Sequence, residues 1–357
     1  MLLKKMSAKR NSERGFSIME LMVSLTVFLV AVAAVYGVAR LATIQRNTVN
    51  TRTDQLRSAR IAIEYIRRDA LNAGFGYHRT GGLVPDNIGN TLFSLPSDTD
   101  AVRDFLTAIV AGNERNTNSL NFGGKTDVVG FISRDITFNR DPNDQTTWTR
   151  EPKVSYTGTT PVGTVINLTT AATEARYCKQ YDLYLLESGS GVTQMVAMAT
   201  SIPNTSTIQL APGDPLSINQ SASGVGEAQS LLAGASSAGT IKKINLVSYS
   251  VTPAGVLVRK QYGNRLGLTA AEQIETREMV YGVSDFQIKY FLEDGTTVDD
   301  PSNGNEGRNN QMLMNNVVQI QVSITIANDP NDSQPRAGSP ITIREFISTK
   351  NLRYEAS

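Results

Sequence analysis

Gly15-Phe16-Ser17-Ile18-Met19-Glu20 stands between a short basic leader and the run Leu21 to Ala39, nineteen residues without a charge. At about 1.5 Å per helical residue the run spans about 28 Å, close to the ~30 Å hydrocarbon core of a bilayer. Residues 1–15 hold Lys4, Lys5, Lys9, Arg10 and Arg14 against Glu13, a local balance of +4, which leaves −3 for the rest of a chain whose formal total is +1. A basic leader before an apolar run outlines a secretory signal peptide, for which Gly37-Val38-Ala39 would be the small-residue cleavage site. Two features oppose it. The run exceeds the ~7–15 residues of a secretory core segment, and a carboxylate, Glu20, opens it, where deep burial costs about 2.5–3.5 kcal/mol. Such an acid requires a partner. Cleavage between Gly15 and Phe16 would set a new α-amine one helical turn before Glu20, in a first turn whose dipole already favours negative charge; the amine of a neighbouring copy would serve equally.

These residues resemble the prepilin motif of type IV pilins and of type II secretion pseudopilins. The resemblance implies that a membrane peptidase cleaves after Gly15 on the cytoplasmic face and N-methylates Phe16, and that Glu20 pairs with the terminal amine of an adjacent subunit. It also places the C-terminal domain outside the inner membrane, which loop charge alone does not do, because Arg40, Arg46, Arg52 and Arg57 follow the span.

The helical pattern continues past Arg40. No proline appears before Pro85, and Leu56, Ala59, Ile63, Ile66 and Ala70 recur at spacings of three and four, an amphipathic stripe flanked by Arg57, Arg60, Glu64, Arg67 and Arg68. A helix from Phe16 to Leu71 would be about 84 Å long, with Gly37 as a tolerated weak point and Asn72-Ala73-Gly74 as its left-handed end. Ile63 to Phe75, with Arg68-Asp69 and Ala73-Gly74-Phe75, resembles the helix-ending segment of PilW-type minor pilins; J-type pseudopilins end similarly. Arg68 and Asp69 read as a capping or surface pair worth about 0–1 kcal/mol.

Residues 78–126, rich in Gly, Asn, Asp and Thr, read as loop with a short helix over Ala101 to Ala111. Beyond Asp127 the apolar segments are short and β-branched: Val128 to Ile132, Tyr181 to Leu186, Met195 to Ile202, Thr207 to Leu210, Ile241 to Val251, Gly255 to Arg259, Phe286 to Phe291, Val317 to Ile326 and Ile341 to Ile347. Val251 to Val256 reads as a turn between strands. Ser221 to Thr240, mostly Gly, Ala and Ser, reads as an exposed loop; Gly224 and Gly226 lack the strand and the Gly-Lys-Ser/Thr of a phosphate loop. Met279 to Tyr290, Val317 to Ile326 and Arg344 to Thr349 extend the resemblance to PilW, so it covers residues 10–76 and 278–353.

Composition excludes several chemistries. The near-neutral charge offers no basic field for nucleic acid. His78 and Cys178 are the chain's single His and Cys, so no internal disulfide and no Cys/His zinc site can form. His78 has no Gly-x-Ser-x-Gly elbow for company and reads as a surface histidine; Cys178 reads as a buried structural thiol; Trp148 reads as core packing or as an exposed contact. Glu293, Asp294, Asp299, Asp300 and Glu306 crowd one loop with Gly295, Asn303, Gly304 and Asn305. Asp294, Asp299 and Asp300 are thus calcium candidates, although the spacing fits no EF-hand and a solvated hairpin is the favoured reading.

The sequence therefore predicts an α+β, pilin-like chain: a leader over 1–15, a helix over 16–72 spanning the membrane at 18–39, and a mainly antiparallel β domain over 73–357 with a loop-rich insert around 221–240. The resemblance implies a minor pilin, not an enzyme and without a required cofactor, that starts in the inner membrane and ends in a pilus. Its implied partners are the prepilin peptidase, other minor pilins, the major pilin, the inner-membrane assembly platform and a tip adhesin. A J-type pseudopilin of type II secretion is the alternative within the family. A periplasmic binding or hydrolytic domain on a signal anchor is the alternative outside it, and it would leave Gly15 and Glu20 dispensable.

Overall fold

The computed structural model describes residues 15–78, 80–97, 103–121, 124–141, 143–162, 165–171, 174–189, 194–220, 238–301, 314, 316–327 and 340–353. The leader before Gly15, Ala101 and Val102, the insert at 221–237 with Gly224 and Gly226, and Asn303 to Glu306 lie outside the described residues. One helix, α1 (Ile18–Asn72), leads into a mainly antiparallel β domain, the α+β layout of a pilin. By packing the chain divides into one unit up to Leu56 and another from Arg57, so the second unit includes the end of α1.

Within the second unit the predicted stripe is the buried one. Ala59, Ile63, Ile66 and Ala70 are joined by Ala62 and Ala73 in the main core, while the Arg57, Arg60 and Arg67 flank is exposed. Alanines at four of these positions let the helix backbone lie close to its neighbours, and Ile66, fully buried, contributes about 1.5–3 kcal/mol. The helix ends where expected: Gly74 has φ +80° and its N–H reaches the Ile132 carbonyl at 2.9 Å. Asn351, from the far end of the chain, donates its side-chain amide to the Leu71 carbonyl at 2.6 Å, one of the acceptors that a helix end leaves open.

The strands in chain order are β1 (Gly82–Val84), β2 (Asp104–Leu106), β3 (Ile109–Thr117), β4 (Lys125–Arg134), β5 (Val154–Val162), β6 (Val165–Thr170), β7 (Leu183–Ser188), β8 (Gln194–Met198), β9 (Ser201–Asn204), β10 (Thr207–Leu210), β11 (Gly239–Val251), β12 (Val256–Tyr262), β13 (Ile274–Tyr281), β14 (Val283–Leu292), β15 (Thr297–Val298), β16 (Val317–Ile326) and β17 (Ile341–Ser348). β11 is the spine. Its first residues pair with β5 and β7, whereas Ile244 to Val251 pair with β4 and β12, so one long strand carries the chain from one part of the large sheet to another. Gly239 is required at the junction, since a Cβ there would sit 2.1 Å from the Glu187 carbonyl oxygen and 2.5 Å from the Tyr156 hydroxyl. β14, β15, β16 and β17 form a second sheet in the order β15-β14-β16-β17.

Side chains join the two sheets where backbone pairing stops. Ile288 of β14 lies opposite Val322, and its N–H donates to Asp127 Oδ2 of β4 at 2.7 Å; Asp127 Oδ1 accepts the Glu114 N–H at 2.9 Å, at the bulge in β3. Asn118 donates to the Val283 and Ser284 carbonyls at 2.8 and 2.9 Å. A carboxylate and a carboxamide thus satisfy the open edge of β14, whose polar groups would otherwise be buried without partners. Asp127 is 2% exposed. Burial pushes its carboxyl up to about 6, against the pull of the Glu114 and Ile288 N–H groups and with the help of the nearby Asp285 and Asp299.

The structure corrects part of the expected layout. The described residues of the expected 101–111 helix are β2 and the start of β3, and the expected loop before them holds β1 and a short helix, α2 (Ile88–Phe93). Ile109-Val110-Ala111 is a short apolar run buried on both faces, which periodicity cannot tell from a helix. The single strand expected over Met195 to Ile202 is two, β8 and β9. The turn before β12 is as expected, with Gly255 at φ +75° donating to the Thr252 carbonyl at 2.9 Å.

Because Asp127 binds its proton more tightly folded than unfolded, its contribution to stability is complete below the ordinary value of 3.8 and is lost as pH rises through about 6. Asp127→Asn does not titrate. Urea unfolding at pH 7 and pH 4 is expected to shift the difference between wild type and variant by about 2–3 kcal/mol in favour of wild type at the lower pH. A difference that does not change with pH would contradict the raised affinity.

Candidate functional site

Gly15, Phe16 and Ser17 precede the helix, which opens at Ile18 and not at the expected Phe16. The Leu21 N–H donates to the Ser17 carbonyl at 3.1 Å, and the Ser17 N–H reaches Glu20 Oε2 at 3.5 Å. Ser17 is therefore the cap, and Glu20 stands three residues on, at the spacing of a capping box. The sequence displays that spacing, which the reading of Glu20 as an amine partner and first-turn acid did not use. The reach is long for a hydrogen bond and leaves the carboxylate exposed, open to a stronger cationic partner.

The bond between Gly15 and Phe16 lies outside regular structure, and the Phe16 side chain is 79% exposed. A Cβ at Gly15 would meet nothing within 4 Å, so the fold itself places no demand for glycine there. Beyond Glu20 apolar side chains cover the helix on all sides, among them Leu21, Val27, Phe28 and Val35. The Thr26 hydroxyl folds back onto the Met22 and Val23 carbonyls at 3.1 and 2.8 Å, which removes its need for water. An 18-residue window of α1 has a mean hydropathy of 2.4 with none of it buried in the protein, long and apolar enough to cross a membrane.

At the other end of the helix the expected Arg68–Asp69 surface pair is half of a larger cluster. Asp69 Oδ2 accepts from Arg259 Nε at 2.9 Å and from the Tyr249 hydroxyl at 2.7 Å, while Oδ1 faces Arg68 at 3.2 Å. The Asp69 and Arg259 side chains are only 11% and 15% exposed, against 56% for Arg68. Burial and then the Asp69 carboxylate raise the Tyr249 phenol, which stays a neutral donor. Asp69 follows Ile66 by three and Ala62 by seven, so its place on the buried stripe was legible; its partners on β11 and β12 were not. The cluster borders a polar cleft of about 190 Å³ lined by Arg68, Asn72, Ser133, Asn245 and Gln261, with no histidine or cysteine on its walls.

The remaining candidates are dispersed. His78 Nδ1 lies 2.8 Å from the Thr80 hydroxyl. Cys178 is buried, and its thiol is pushed up to about 12, chiefly by burial, so it is unreactive at neutral pH. Trp148 is exposed rather than core, its indole N–H donating to the Asp141 carbonyl at 3.1 Å and Arg140 lying 5.9 Å from its ring centre. Asp294 accepts from the Thr296 N–H and hydroxyl, Asp299 pairs with Lys289 at 3.3 Å, and Asp300 with Arg115 at 3.9 Å. Among the described residues no three His, Cys, Asp or Glu side chains come together to hold a metal ion.

Residues 10–36 match the family model described as the prokaryotic N-terminal methylation motif. No curated protein matches the chain. The matched segment takes in Gly15, Phe16, Glu20 and most of the apolar span, and it supports a type IV pilin or pseudopilin: a prepilin-peptidase substrate whose precursor is anchored in the inner membrane.

The Asp69 cluster predicts a graded response in urea unfolding. Asp69→Asn, which strands the Arg259 charge, is expected to cost about 2–4 kcal/mol; Tyr249→Phe about 1 kcal/mol; Arg68→Ala less than about 1 kcal/mol. Equal losses for Asp69→Asn and Arg68→Ala would return the cluster to a surface pair.

Proposed function

We propose that this chain is a non-enzymatic minor pilin of the PilW kind, a subunit that enters a type IV pilus and helps to initiate its assembly. The observation that carries the reading is the junction at Gly15 to Glu20: an exposed bond before the helix, a carboxylate that accepts the Ser17 N–H at its first turn, and an all-round apolar span directly behind. The peptidase cleaves between Gly15 and Phe16 and methylates the new Phe16 amine, which keeps its positive charge. Buried deep in the bilayer, the Glu20 carboxylate would cost about 2.5–3.5 kcal/mol. A neighbour's terminal ammonium offsets that cost with a charge-assisted hydrogen bond, stronger than the long contact to the Ser17 N–H.

Pairing of this kind sets the axial position of each helix among its neighbours while the apolar surfaces pack together in the filament core. The β domain remains outside the membrane, ready to meet other minor pilins, the major pilin and a tip adhesin.

Pili sheared from the native cells are expected to contain the chain far below the major pilin. Gly15→Val, at a position where an added Cβ meets nothing within 4 Å, should leave the protein in the membrane fraction and reduce surface pili. A chain that never enters the sheared fraction and whose loss blocks protein secretion instead would place it in a type II secretion system. Indifference to Gly15→Val would reject both.

A further inference from the structure

β17 is an outer strand of the second sheet, and among the described residues nothing pairs with its far edge. One bond fixes which backbone groups face that edge. The Thr349 N–H donates to the Val318 carbonyl at 3.0 Å, and polar groups alternate sides along a strand. Ile341, Ile343, Glu345 and Ile347 therefore turn theirs towards β16, whereas Thr342, Arg344, Phe346 and Ser348 turn theirs outward.

Two of the long outer strands, β13 and β17, are treated differently. β13 carries Glu275, Arg277 and Glu278, is exposed on both faces over most of its length, and shifts register against β12, all devices that blunt an edge. β17 runs in unbroken register with β16 from Ile341 to Ser348 and has neither lysine nor proline. Its core side presents Ile341, Ile343 and Ile347. On its outer face the exposed Phe346 ring lies 5.8 Å from that of Phe291, tilted by 51° to it.

Two charges remain, Arg344 on the outer face and Glu345 on the core side, and they select the partner. In a two-fold antiparallel pairing of β17 with a second copy, opposed residue numbers sum to a constant even number. The two registers that use nearly the whole strand are centred on Arg344 or on Glu345, and each sets like charges directly opposite, which is destabilising. A different strand meets no such conflict when it carries an acid opposite Arg344, a base opposite Glu345, and apolar residues opposite Ile343 and Ile347.

We propose that the free edge of β17 is a docking site for an extended strand of a different protein, one with adjacent acidic and basic residues flanked by apolar ones. The partner completes the second sheet by backbone hydrogen bonding, and the Arg344–Glu345 pair sets its register.

The test is photocrosslinking in the native cells, with p-benzoylphenylalanine in place of Phe346 in the full chain and the crosslinked peptide sequenced by mass spectrometry. The expected adduct is with a peptide of another protein bearing that acid–base pattern. Its yield should fall about tenfold with Arg344→Pro, which removes an outward N–H and no bond to β16, and similarly with Glu345→Lys, which keeps the backbone intact should the proline variant unfold. An adduct only with peptides of this chain, no adduct, or a yield unchanged in a folded Arg344→Pro or Glu345→Lys variant would overturn the proposal.

Discussion

A single helix must satisfy two solvents, and the rest of the structure follows from how its residues are divided between them. Up to Ala39 apolar side chains lie on every face, and the polar groups among them are the Glu20 carboxylate and the hydroxyls of Ser24, Thr26 and Tyr36, of which that of Thr26 is turned onto the backbone. From Arg57 onward the apolar residues narrow to one stripe, and alanines along it bring the backbone against the core. The first arrangement suits hydrocarbon or other apolar helices. The second suits a domain of the chain's own making.

Both ends of the helix carry a carboxylate with a defined task. Glu20 holds the first turn weakly and remains available. Asp69 is committed: with Arg259 and Tyr249 it ties the last turns to β11 and β12, and Asn351 donates to one of the final carbonyls, that of Leu71. The same economy appears at the junction of the sheets, where Asp127 and Asn118 supply hydrogen bonds that no strand provides. Buried polar side chains of this sort tolerate few replacements, because removing one leaves backbone groups without partners.

The sequence was most legible where a pattern is local and periodic. Val317 to Ile326 and Thr207 to Leu210 are strands over the expected residues, and the helix stops at Asn72 before Gly74. It was least legible where burial on both faces removes the alternation, as over Ile109 to Ala111, and where a strand such as β5 carries few apolar residues among serine, threonine, glycine and proline. Of the candidate site, Gly15, Phe16 and Glu20 lie within six consecutive residues, inside the segment that matches the N-terminal methylation motif, so the motif itself is visible in the sequence. The Asp69 cluster is not, because Arg259 lies 190 positions away and only the fold brings it near.

The central claim is that Gly15-Phe16 is a processed bond and that the mature chain begins with the membrane helix. The most direct measurement is the mass of the N-terminal peptide of the protein isolated from its native cells. The account predicts a terminus at Phe16 bearing one methyl group, lost in Gly15→Val. An intact Met1, or a terminus near Arg40, would contradict it and return the segment to a signal anchor or a signal peptide.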